Sequence, residues 1–151
     1  MPESPKLIVP AFGPLYAIFA PFTELLIRLI AGGALAWHGY QILFGNIEGA
    51  ARFFESVGFD NGLLWAWVVG ILEFVCGLCL ALGLFTRLAA FIMSGEIAIG
   101  YFMFHFPKSF WPLLNMGEAA ILYCFIFLYI AAAGPGAWAL DNARLRNAPI
   151  R

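Results

Sequence analysis

Four long apolar stretches, residues 22–44, 63–85, 88–106 and 117–134, dominate the chain, and several ionisable side chains lie inside them. About 20 residues of helix cross the hydrocarbon of a bilayer, so each stretch reads as a membrane helix. Arg28, His38, Glu73 and Glu96 nevertheless fall within the apolar runs. An ionisable group at the bilayer centre costs roughly 2.5–3.5 kcal/mol on insertion scales. These side chains are therefore expected to face one another or an interior polar cavity, and any chemistry is expected there.

Composition supports this reading. Of the 151 residues 63% are hydrophobic and 11% charged, against about 25% charged in soluble domains, and the mean hydropathy is +0.88. The expected fold is an all-α integral membrane four-helix bundle. Its four spans nearly exhaust the sequence and leave no room for a soluble catalytic domain. A net charge of −1 offers no basic patch for phosphate backbones, which argues against nucleic acid as a partner.

Basic residues near the helix ends set the orientation of such bundles. Lys6, Arg87, Arg144, Arg146 and Arg151 fall on the side of the termini and only Arg52 and Lys108 on the other, so both termini are expected in the cytoplasm and the bundle in the plasma (inner) membrane. Residues 1–21 are expected to form an N-terminal interfacial segment, because Pro10, Pro14 and Pro21 interrupt the apolar run over 7–22. Glu3 and these prolines spoil the pattern of a signal peptide. The four-helix domain is expected over 22–141 and a cytoplasmic tail over 142–151.

The connections carry their own signals. Ile47, Ala50, Ala51, Phe53, Phe54 and Val57 line one side of a short amphipathic helix on the outer surface. Phe85, Thr86 and Arg87 make a tight turn, residues 107–112 an aromatic interfacial turn, and Gly134, Pro135 and Gly136 end the last helix.

Helical phase then sorts the polar residues. Glu24, Arg28, Ala31, Leu35, His38 and Ile42 share one face of the first helix. Glu24 and Arg28 are spaced for an ion pair, while Arg28 has the alternative of snorkelling to the headgroups. Glu73 shares a face with Ala66, Gly70 and Gly77, small residues that admit a neighbouring backbone. His105, nine residues beyond Glu96, is half a turn out of phase with it and is expected at the outer interface. Glu118 opens the fourth helix, where a carboxylate suits the helix dipole. Rises of about 1.5 Å per residue put Arg28 level with Glu96 and His38 level with Glu73, in two polar layers.

Other site motifs are weaker. Cys76 and Cys79 form a CxxC inside a membrane helix, away from the exposed helix N-terminus that activates such pairs, and with no second pair for zinc. They read as apolar fillers, as does Cys124. A bis-histidine heme requires His38 and His105 on facing helices, which their phases oppose, so heme is not expected. No metal site is expected, and the sequence contains no Walker loop, GxGxxG or HExxH motif.

Together these residues resemble the DoxX family of small four-helix membrane proteins. The matching pieces are Arg28, the run Trp37, His38, Gly39 leading to Phe44 and Gly45, Glu73 followed by Gly77, the turn from Leu82 to Arg87, Glu118, and the closing segment from Gly134 to Asp141. The resemblance covers residues 23–141. It departs at Gln41 and Ile42, where the family often carries a lysine.

Family members include the DoxD-like subunit of a thiosulfate:quinone oxidoreductase and membrane components of redox complexes. The resemblance thus implies a membrane subunit in quinone- or thiol-linked redox chemistry, with a soluble or membrane redox partner. Arg28, His38, Glu73, Glu96 and Glu118 would line the interior site; the cofactor is left open, with a quinone as the candidate in the quinone-linked form of that chemistry. The competing readings are a non-catalytic anchor or assembly subunit, a small proton or weak-acid transporter, and a polar group that merely holds the helices together.

Overall fold

The computed structural model describes residues 8–146, so Lys6 and Arg151, used for the orientation, lie outside the described residues, as do the ends of the N-terminal segment and of the tail. Every regular element among the described residues is helical. They are α1 (Gly13–Tyr40), α2 (Ile47–Ser56), α3 (Gly62–Leu82), α4 (Thr86–Gly100), α5 (Pro112–Asn115), α6 (Glu118–Ala133) and α7 (Leu140–Arg146). Wider π-turns continue α1 over Gln41–Gly45 and α4 over Tyr101–His105.

The expected spans are all helical, with one correction at the first. α1 starts at Gly13 rather than at residue 22, and Pro21 sits inside it. Pro14 falls in the first turn, where a missing N–H costs nothing, so the prolines do not detach this segment from the helix. Three helical stretches are long and apolar enough to cross a membrane: Pro10–Gly45, Gly62–Leu82 and Thr86–Lys108. α6 is equally apolar but has only 16 residues, about 24 Å of helix against a hydrocarbon core of about 30 Å. Ile30, Phe91, Ile99, Leu122 and Phe125 are each more than 60% exposed, as suits a surface solvated by acyl chains.

Small residues decide which helices meet. A Cβ on Gly77 of α3 would strike the backbone N of Ala36 and lie 2.7 Å from the Gly32 carbonyl, and one on Gly39 of α1 would strike the Phe74 backbone. α1 and α3 therefore cross at backbone contact, which is how helices associate where water supplies no hydrophobic drive. Beyond α3, Gly83 takes the left-handed conformation at φ +71°. Its N–H bonds to Leu80 O and that of Leu84 to Cys79 O, a Schellman closure that turns the chain at once into α4. α4 packs along α6 through Ala89, Ala90, Met93, Phe127 and Ile130, with Leu80 of α3 behind them.

The amphipathic helix is present as α2, capped by the Asn46 side chain, which accepts from Gly49 N at 2.8 Å. Its apolar face buries Ala51 and Phe54 against Ala66 of α3 and Phe104, closing one end of the bundle. The other end is formed by the Gly83–Thr86 turn and the closing segment 134–141. Between α1 and α6 the bundle stays open along an apolar cleft of about 450 Å³, lined by Leu26, Ile27, Ile30, Leu122, Tyr123 and Ile126 among others.

The α1–α3 crossing predicts a contrast between two glycines. Gly77→Val should lower stability by about 1–3 kcal/mol or more through forced separation of the helices. Gly33→Ala, where a Cβ meets nothing within 4 Å, should stay within about 1 kcal/mol of the parent. Thermal unfolding in detergent measures both, and equal losses would contradict the close crossing.

Candidate functional site

Two polar groups of opposite character occupy the bundle. The first holds the closing segment. Arg28, 2% exposed, donates through Nη1 to the carbonyls of Pro135 and Ala137 and through Nη2 to that of Trp138. Glu24 accepts the Ala137 N–H at 2.8 Å. The expected Glu24–Arg28 ion pair is thus replaced by two separate attachments to one loop, and the expected Arg28–Glu96 proximity is corrected in the same way. The physical reason is local. Six residues after α6 run as irregular backbone, and their carbonyls need donors that lipid does not supply.

Neighbouring side chains complete this lock. Arg87 reaches the last carbonyls of α6, at 2.8 Å for Ala131, 2.6 Å for Ala132 and 3.2 Å for Ala133. Asp141 accepts from Phe85 N at 2.9 Å and from Thr86 N and Oγ1 at 2.8 Å each, capping α4 from a distant part of the chain. Asn142 donates to Gly136 O at 2.7 Å. The LGLFTR turn, the closing segment and Arg28, quoted above as separate motifs, are one hydrogen-bonded assembly.

The second group lies mid-bundle. His38 Nδ1 stands 3.9 Å from Glu73 Oε2, the pairing expected from phase and depth. Glu73 is only 8% exposed, and Glu96 stands on α4, which packs against α3. Glu73 Oε2 and Glu96 Oε2 are both buried without a hydrogen-bond partner among the described residues. Along α3 and α4 the two glutamates fall at the seam between two apolar clusters. Leu80, Met93 and Phe127 lie on the side of the closing segment, and Ala51, Phe54 and Ala66 on the side of α2.

His38 itself is open, with 77% of its side chain exposed. It lines a pocket of about 350 Å³ with Trp37, Gln41, Ile42, Asn46 and Ala50. The π-turn that follows α1 brings Gln41 and Ile42 to this pocket, an interruption of a kind common at functional positions. Glu118 stands apart, exposed in the first turn of α6. Of the five expected site residues, the fold gathers His38, Glu73 and Glu96, ties Arg28 into the lock, and leaves Glu118 at a helix start.

Some polar residues were missed by pattern reading. Asn115 is fully buried and donates to Tyr101 Oη at 3.2 Å and Ser109 O at 2.8 Å, while its Oδ1 accepts from Gly117 N. His105 Nδ1 meets Asn115 O at 3.0 Å, so His105 helps secure the turn before α6. A lone asparagine in the apolar Leu113–Met116 run was the available signal. Ser94 Oγ donates to Cys124 O at 2.9 Å, joining α4 to α6. Cys76, Cys79 and Cys124 are free thiols. Among the described residues no set of three His, Cys, Asp or Glu side chains is grouped for a metal.

A compact all-helical membrane protein with an ionisable cluster in its interior is the class that fold and site define. A family model for DoxX matches residues 23–106, just over half of the chain, and the chain belongs to the DoxX family. An uncharacterized protein of Haemophilus influenzae is 44% identical over 105 residues, spanning 64% of this chain and 78% of that relative. An uncharacterized membrane protein of Mycobacterium tuberculosis is 27% identical over 139 residues, spanning 85% of each chain. No solved structure matches.

The lock predicts two losses of stability. Arg28→Gln should destabilise by about 1–3 kcal/mol for each loop carbonyl left without a donor, and Asp141→Ala by about 1–2 kcal/mol through loss of the α4 cap. Differential scanning fluorimetry with a thiol-reactive dye reads both. Unchanged melting of either variant would remove the structural role assigned here.

Proposed function

We propose that this DoxX protein is a membrane subunit in quinone- or thiol-linked redox chemistry, with His38, Glu73 and Glu96 as its interior working site. The observation that carries the reading is a pair of carboxyls that each bury one unpartnered oxygen, set beside an open histidine. Arg28 also buries one unpartnered atom, Nε, but its two terminal nitrogens are bonded to the loop, whereas desolvated acids without partners are characteristic of sites that handle protons or ligands. Reduction of a quinone takes up two electrons and two protons, and the cluster offers groups able to deliver the protons. A redox partner would supply the electrons.

The topology belongs to the same proposal. The four-helix domain covers 22–141, with α6 as a short fourth span and the termini in the cytoplasm of the plasma membrane. The pocket at His38, α2 and the His105–Asn115 turn then face outward. The basic residues Arg52 and Lys108 on that side, against Arg87 and the tail, support this orientation.

Two measurements test the proposal. A cysteine at exposed Glu48 should react with a membrane-impermeant maleimide added outside intact cells; labelling only after the cytoplasmic face is opened would reverse the topology. Glu73→Gln keeps shape and hydrogen bonding but removes the titratable proton. Quinone-linked oxidoreductase turnover by membranes holding the native complex should therefore fall at least tenfold, while the melting temperature changes little. Full turnover in that variant would make the cluster structural.

A further inference from the structure

We propose that His38 is the mouth of a one-sided proton port that connects the Glu73 and Glu96 carboxyls to the water phase at the α2 end, with no path to the end closed by residues 134–141. The port rests on the reading that these three residues form the working site, and it adds the side from which the site is served.

The two sides of the carboxyls offer a proton different surroundings. Towards the closing segment stand Leu80, Met93 and Phe127, each with no exposed surface, and behind them Arg28, bonded across the loop. Leu80, Met93 and Phe127 give water and protons no polar group to follow. Towards α2, by contrast, polar groups stand within reach of Glu73. The pocket of about 350 Å³ presents the polar side chains of Gln41 and Asn46 beside His38. The His38 ring then stands with Nδ1 3.9 Å from Glu73 Oε2, a gap that one bridging water or a rotamer change closes. On α4, the helix that packs against α3, Glu96 holds the second buried oxygen without a hydrogen-bond partner among the described residues.

Imidazole suits this place because it accepts a proton on one nitrogen and releases one from the other. A proton taken from the pocket passes to the Glu73 carboxylate and on to Glu96. Only N–H and O–H bonds change, and no electrons move. The groups that face Glu73 are few. His38 comes from α1 and Glu96 from α4, while Cys76 and Cys79 lie on α3 itself. The charged side chains of α2, Glu48, Arg52 and Glu55, are exposed, as is Glu118 on α6.

The test uses the full chain reconstituted in lipid vesicles, without quinone or partner protein. Infrared spectroscopy follows the carboxyl bands of Glu73 and Glu96, assigned with Glu73→Gln and Glu96→Gln, after a rapid pH jump. In the parent both bands should follow the jump promptly. In His38→Ala the response should slow at least tenfold, and imidazole added to the buffer should restore it, a rescue that a purely structural role would not give. His38→Gln, closer in size and able to hydrogen-bond, should be equally slow, which guards against a folding artefact. Vesicles holding the parent chain should leak protons no faster than protein-free vesicles.

A prompt response in both His38 variants, failure of imidazole to restore His38→Ala, or carboxyl bands that ignore pH would overturn the port. Leakage above the protein-free rate would overturn its one-sidedness. Because no quinone takes part, loss of the redox reading through an active Glu73→Gln complex is a separate outcome from loss of the port.

Discussion

A bilayer offers no water to a peptide carbonyl, and the attachment of Arg28 to the loop after α6 answers that constraint. α6 ends after 16 residues, and the chain then runs irregularly through Gly134–Ala139 before α7. Two guanidinium groups meet the carbonyls stranded there, Arg87 those of Ala131, Ala132 and Ala133 and Arg28 those of Pro135, Ala137 and Trp138. The planar fork of arginine suits several acceptors at once, where a lysine would serve them as a point charge. Arg28 comes from α1 and Arg87 from α4, so the same bonds that satisfy the backbone also hold the ends of α1, α4 and α6 together.

That tie explains how α1 and α6 can leave a cleft between them without parting. α1 is anchored along its length by the glycine-mediated crossing with α3, and α6 by Ala90, Met93 and Ser94 of α4. The two pairs of helices are joined by the Gly83 turn and clamped by Asp141, which reaches back to Thr86. The α1–α3 crossing brackets Glu73, with Gly39 against Phe74 on one side and Gly77 against Ala36 on the other. Glu73 and Glu96 sit mid-bundle with oxygens unpartnered, a condition the structure around them is strong enough to sustain.

Much of this was legible in the chain. The four helices, the amphipathic α2, the turn at Gly83 and the approach of His38 to Glu73 follow from apolar length, helical phase and glycine placement, which are local properties. The start of α1 was misread because proline is a helix breaker in water-exposed interiors, whereas Pro14 falls in a first turn and a helix in apolar surroundings has no better alternative for its backbone. Asn115 stood out only as a lone polar residue in an apolar run, since its partners Tyr101 and Ser109 come from the preceding helix and turn.

The sequence by itself determined that this is a helical membrane protein, that Glu73 stands on a small-residue face, and that a histidine shares its layer. Those conclusions need only periodicity and the cost of charge in lipid. The tertiary structure alone decided what Arg28 does. Phase and depth put it level with Glu96, but depth along a helix fixes one coordinate of a side chain and not the partner it finds. The stranded carbonyls of residues 135–138 come to Arg28 across more than a hundred residues, and a donor fork beside unsatisfied acceptors outweighs a carboxylate in the neighbouring layer.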